Sequence, residues 1–248
     1  MKSKTKNLWL VIIFIILYSF FVFYVRSTVE NYSDIIVGTT FFFTLFIGFF
    51  ITRQNDRYSA INDQLTSTDG YFSYLYRVTG LVPRIQNEVR EIIRDHYTKI
   101  LESKNPAYHV MNPSNTLTKM TEVLSSITEE ENGSPATGAA WGFLFEVIAD
   151  LQLLRKKTLN LYEEKLVAFQ WAIVYILALL LIISFNFVPS ASLLIIILKV
   201  FFGASVFISI ILLRQLNNLT LFGESAGMQS VHDIFRIIDE KDAKELKK

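Results

Sequence analysis

Four long apolar runs dominate the chain, and runs of this length leave few folds open. Residues 8–25 and 35–52 each extend for 18 residues without a charged side chain. At about 1.5 Å per residue such a run reaches roughly 27 Å, close to the hydrocarbon thickness of a bilayer. Residues 166–188 form a longer uncharged run, and residues 192–213 carry a single charge, Lys199. A large soluble core of buried helices is the competing interpretation. It fits poorly with 51% hydrophobic and 19% charged residues, since an ordinary soluble domain is roughly 25% charged. The expected fold class is therefore all-α, an integral membrane protein with four transmembrane helices.

The first run could instead be a cleaved leader, because Lys2, Lys4 and Lys6 precede it. Its apolar stretch exceeds the usual span of about 7–15 residues for such a leader. It also closes on Phe23, Tyr24 and Val25 before Arg26, without a small-residue cleavage pattern, and reads as a retained anchor. Basic residues near the runs set the orientation. Lys2, Lys4, Lys6, Arg53, Arg57, Arg155, Lys156, Lys157, Lys165 and Arg214 fall on one side, and only Arg26 on the other. The expected layout is an N-terminal hairpin over 1–52, a cytoplasmic helical section over 53–165, a second hairpin over 166–213 and a tail over 214–248. Both termini are then cytoplasmic, in a multi-pass protein of the inner or plasma membrane.

Helical periodicity continues between the hairpins. Ile85, Val89, Ile92, Ile93, His96 and Ile100 recur at steps of three and four, the signature of one buried helix face. Pro106 and Pro113 break that helix. A second break spans residues 129–138, where Glu129, Glu130 and Glu131 precede an Asn-Gly-Ser-Pro turn and read as a solvated loop. The next helix is expected from Ala139 through Glu164 directly into the third run. After the fourth run, Val231, Ile234, Phe235 and Ile238 mark a short amphipathic helix.

Several function classes are excluded or disfavoured. A net charge of +1 gives no basic footprint for nucleic acid. The absence of cysteine removes thiolate catalysis, disulfides and cysteine-held metals. The chain has no phosphate-cradling glycine loop, no Gly-x-Ser-x-Gly elbow and no His-Glu-x-x-His pair. His96, His109 and His232 are far apart in sequence and lack metal-ligand spacing. Hence no catalytic residue, cofactor or metal site is expected, and the chain does not read as an enzyme. Lys199 has two readings. An intramembrane ammonium is a functional candidate that could attract anions, and one about two turns from the outer end can also snorkel to the headgroups.

The second run is the most specific. Thr40, Thr44 and Gly48 form a small, weakly polar stripe at four-residue spacing, with Phe41, Leu45 and Phe49 beside it. Small residues let membrane helices approach closely. Several copies of this helix around an axis would stack the apolar residues into rings that constrict a pore and gate it by dewetting. Alternatively, those aromatic side chains face lipid. Phe42, Phe46 and Phe50, one residue round the helix, are the lipid-facing counterpart under the pore reading.

The pattern Phe41-x-x-x-Leu45-x-x-Gly48-Phe49, followed by Thr52-Arg53-x-Asn55-x-Arg57-Tyr58, resembles the second membrane helix of bestrophin anion channels. Asn217-Asn-Leu-Thr-Leu-Phe222-Gly223-Glu224 resembles the Asn-Pro-Phe-Gly-Glu segment after their last helix, with Leu221 in place of the proline. The chain as a whole is similar to a bacterial bestrophin-like family of unassigned function, through Leu75-Tyr76-Arg77, the helix over 90–97 and the basic stretch before the third run. The acidic cluster that binds calcium in animal bestrophins is reduced to Glu224. The resemblance implies a homo-oligomer, a pentamer in bestrophins, that conducts inorganic anions across the lipid bilayer. It implies a pore neck at Phe41, Leu45 and Phe49, helix packing through Thr40, Thr44 and Gly48, and an inner mouth at Arg53 and Arg57. The alternative is a non-conducting, membrane-anchored interaction or stress-response protein whose cytoplasmic helices bind a partner.

Overall fold

A computed structural model describes residues 13, 16–20, 32–80, 82–105, 107–112, 115–126, 135–189, 192–220 and 231–236. All regular structure among them is helical. Seven helices follow in order: α1 (Tyr32–Thr79), α2 (Pro83–Ser103), α3 (Tyr108–Met111), α4 (Thr116–Ser125), α5 (Pro135–Glu163), α6 (Ala168–Asn186) and α7 (Leu193–Asn217). Residues 13, 16–20 and 231–236 are helical as well. By length and composition α1, α6 and α7 can each cross a membrane. Most of the first apolar run lies outside the described residues, as do Pro106, Pro113, the acidic run at 129–131 and the Phe-Gly-Glu segment at 222–224.

Helix α1 is 48 residues long and continues well past its apolar half. Nothing in its sequence stops it: it contains no proline, and its isolated glycines, Gly38, Gly48 and Gly70, do not break the periodicity. The stop comes at Gly80–Pro83. The residue before a proline is pushed out of the helical region, and Val82 adopts φ −124° and ψ 83° ahead of Pro83. Helix α2 ends at Lys104, which takes a left-handed conformation (φ 52°) so that its N–H reaches the Leu101 carbonyl. The Asn105 side chain then accepts from the Ala107 N–H at 3.1 Å, turning the chain into the single turn of α3.

Helix α5 does not run directly into α6, as the sequence suggests. Residues 164–167 are extended or irregular. Two of their backbone donors go to side chains instead: Leu166 N–H donates to Asn217 Oδ1 at 2.8 Å, and Val167 N–H to Gln170 Oε1 at 3.1 Å. At Leu166, the buried residue of the break, the backbone donor must be paired in this way.

The chain divides into two compact units, and the division falls within α1 between Tyr58 and Ser59. The first comprises Met1–Tyr58 and Lys165–Glu224. Its core joins Phe43, Ile47 and Phe50 of α1 to Val174, Ala178 and Leu181 of α6 and to Val206 and Leu213 of α7. The second comprises Ser59–Glu164 and Ser225–Lys248. Its core is built from Phe72 and Leu75, the α2 face Ile85, Val89 and Ile93, Leu124 of α4, and Leu144 and Leu151 of α5. Val231 and Ile234 complete that core, so residues 231–236 belong to the unit. Truncating a fully buried isoleucine such as Ile93 to Ala costs about 2–5 kcal/mol.

Candidate functional site

The apolar half of α1 has two distinct faces. Phe43, Ile47 and Phe50 point into the core of the first unit. Phe41, Leu45 and Phe49, spaced by one helical turn, remain 61%, 54% and 60% exposed. Thr44 and Gly48 are exposed beside them, and Thr40 is half-buried. A Cβ placed on Gly48 would meet nothing within 4 Å, so the stripe supports no close helix approach within the described part of this chain. The counterpart set differs from expectation. Phe42 is exposed, but Phe46 packs on the core and Phe50 lies inside it at 3% exposure, because the core face spans residues 43, 46, 47 and 50.

Arg53 and Arg57, grouped by the sequence, occupy different environments. Arg53 is exposed, whereas Arg57 is buried. The Arg57 Nη1 donates to Gln54 Oε1 at 2.9 Å and to the Asn217 carbonyl at 3.1 Å. Since Asn217 Oδ1 also holds the Leu166 N–H, one asparagine ties α1, the 164–167 break and the end of α7 together. Arg57 therefore differs from the solvent-facing cation expected of it. Its partner is 160 residues away in sequence, and no local signal could have revealed the pairing.

Lys199 fits neither sequence reading. It is 1% exposed and donates to the carbonyls of Asn186 and Val188. A lysine of α7 thus closes the C-terminal end of α6, where unpaired carbonyls and the helix dipole favour a cation. Nearby, Tyr18 Oη accepts from Asn186 Nδ2 at 3.4 Å. The Tyr18 ring occupies the space a side chain on Gly203 would need: a Cβ there would lie 2.2 Å from Tyr18 Cε1.

The second unit holds a polar cluster that sequence spacing conceals. The α2–α3 turn brings His109 back onto His96, and the two imidazoles stack with centroids 3.8 Å apart. His109 Nε2 meets the His96 carbonyl at 2.8 Å. A carbonyl only accepts, so Nε2 carries the hydrogen. His96 Nδ1 lies 3.2 Å from Thr116 Oγ1. Burial holds the His96 pKa well below its ordinary value, reinforced by His109 and Lys99, and burial likewise lowers that of His109. Both rings are neutral near pH 7. Tyr97 Oη donates to Asp69 Oδ1 at 2.6 Å, and burial followed by the nearby Asp69 charge pushes the phenol well above its usual range. Arg155 Nε donates to the His109 carbonyl at 3.2 Å. His96, His109, Thr116, Asp69 and Arg155 border a cavity of about 60 Å³, whose walls also include Leu65, Phe72, Ile100 and Leu151. Among the described residues, no group of three His, Cys, Asp or Glu is placed to hold a metal ion.

No family model matches the chain, and neither a curated protein nor a solved structure shows significant similarity to it.

Proposed function

We propose that the chain is a four-span protein of the inner or plasma membrane, with both termini and the second unit cytoplasmic. In this reading it assembles as a homo-oligomer, a pentamer by its resemblance to bestrophins, and passively conducts inorganic anions. Helix α1 lines the path. One observation carries the reading: an aromatic and leucine face of α1 stays open beside a small-residue stripe, while the opposite face of the same helix is fully used in the unit core. Copies of α1 meeting through Thr40, Thr44 and Gly48 bring Phe41, Leu45 and Phe49 toward a shared axis. Stacked apolar rings there resist ion passage, because an ion must shed water without polar compensation. Arg53, exposed directly after the apolar run, raises the local anion concentration at the inner mouth. Arg57 acts from within the helix packing.

The second reading, a non-conducting membrane-anchored interaction protein, draws on the second unit, which has its own core and a polar cavity. Chloride-loaded liposomes separate the two. The channel reading expects purified protein to collapse an imposed chloride gradient. Vesicles that stay as tight as empty ones would leave the interaction reading.

A further inference from the structure

Several polar groups in the walls of the 60 Å³ cavity in the second unit are acceptors toward it. Thr68 and Thr158 line it, yet each hydroxyl already donates its hydrogen, to the Gln64 carbonyl at 2.9 Å and the Leu154 carbonyl at 2.8 Å. Toward the cavity they can only accept. The Asp69 carboxylate, 7% exposed, is acceptor-only and already takes the Tyr97 hydrogen on one oxygen. His109, 8% exposed, spends its only N–H on the His96 carbonyl, which leaves Nδ1 as a lone-pair acceptor. That buried nitrogen finds no partner among the described residues. His96 and Thr116 also line the cavity and share one of their two hydrogens across their 3.2 Å contact, so the inner wall holds more acceptors than donors around an apolar lining. The opposite character comes from Arg155, which is exposed and brings a cation with five N–H donors to the rim, one of them held by His109 O.

A buried acceptor without a donor is costly, on the order of 1–3 kcal/mol. A water needs only about 10–15 Å³ of such space, so the cavity can take a solute of several non-hydrogen atoms. An occupant that satisfies this wall carries N–H donors and positive charge at its inner end and a carboxylate at its outer end. Its body must be short and apolar.

We propose that the cavity is a binding site for a small zwitterionic amino acid of the size of glycine or alanine. The ammonium group donates to His109 Nδ1 and Asp69, and the carboxylate pairs with the Arg155 guanidinium at the rim. The ligand carries one positive and one negative charge, so no net charge is brought into the unit.

The test is equilibrium dialysis of the full chain in detergent micelles with radiolabelled glycine and alanine. Saturable binding at one site per chain is expected. Ethylamine, with only the ammonium end, and propionate, with only the carboxylate, should compete at least about tenfold more weakly. Leucine should compete weakly because the cavity is short. Arg155→Gln keeps a donor for the His109 carbonyl, and should weaken glycine about tenfold or more without changing ethylamine. Asp69→Asn keeps an acceptor for Tyr97, and should weaken both. Melting of each unliganded variant reports folding. If Asp69→Asn fails to fold, the exposed Arg155→Gln decides. Absence of saturable glycine and alanine binding would mean that water alone fills the cavity and would overturn the site. So would unchanged glycine affinity in Arg155→Gln, or ethylamine or propionate competing as well as glycine. Ion flux is not a readout here, so this site and the pore stand or fall separately.

Discussion

Arg53 and Arg57 lie one helical turn apart and have separable consequences. Arg57→Gln removes a buried cation's bonds to Gln54 and Asn217, and should cost about 2–3 kcal/mol, read as a lower melting temperature in detergent. Arg53→Gln should leave melting unchanged and lower chloride flux several-fold at low ionic strength. That deficit should fade in high salt as the field is screened. A stability loss in Arg53→Gln, or none in Arg57→Gln, would reverse the assignment. The stacked histidines carry the second residue-scale prediction. Their folded pKa values lie below the unfolded value of 6.5. Below about pH 6.5 the unfolded chain therefore binds more protons than the folded one, and stability falls with acid. Each histidine contributes up to about 1.4 kcal/mol per pH unit in that window. His96 is faced by His109, Lys99 and Thr116, and His109 also by Asp95 and Arg155. The opening free energy across α2–α4, from hydrogen exchange corrected for the slower intrinsic exchange in acid, should fall from pH 7 to 5 in the native chain and fall less in His96→Gln. Equal pH responses would show that the stack does not control this opening.

At the scale of elements, two glycines distinguish packing within one chain from packing between chains. Gly203 of α7 faces the Tyr18 ring, and any side chain there must displace it. Gly203→Val should therefore lower the stability of a single chain. Gly48 of α1 faces open space, so Gly48→Leu should cost a single chain little. The same change should break an oligomer whose helices meet at that stripe, reducing a discrete assembly to monomers in size-exclusion chromatography with light scattering. An intact oligomer with Leu at position 48 would place the assembly interface elsewhere. Element type was legible from sequence because uncharged runs of 18 residues and three- and four-residue steps each have one economical reading. Element ends were less so. The break at 164–167 depends on Asn217 and Gln170 side chains standing in for helical carbonyls, and the unbroken length of α1 rests on the absence of any stop before Gly80. The His96–His109 stack depends on a left-handed Lys104 and the Asn105 turn, neither of which the residue types announce.

For the whole molecule, what the sequence made visible was the positions that repeat locally. The open face of α1 follows from four-residue spacing, and the structure leaves that face uncovered in one chain. The buried roles of Arg57 and Lys199 were invisible because each is defined by carbonyls on another helix. Topology is testable directly. Single cysteines replacing Ser33 and Ser190 should react with an impermeant maleimide from outside sealed cells, and those replacing Ser103 and Ser134 should not. Outside labelling at Ser134 would contradict the two-hairpin layout. The pore itself is tested by replacing Phe41, Leu45 and Phe49 together with Ala. The matched control is Leu194, Leu198 and Phe201 of α7, equally exposed apolar positions, because Phe50 is a core residue and spoils the set one step round α1. At equal expression and oligomeric state, chloride flux through liposomes should rise in the α1 triple variant, since the constriction widens and rehydrates, and stay at the native level in the α7 variant. Equal flux in both would show that this face of α1 lines no pore.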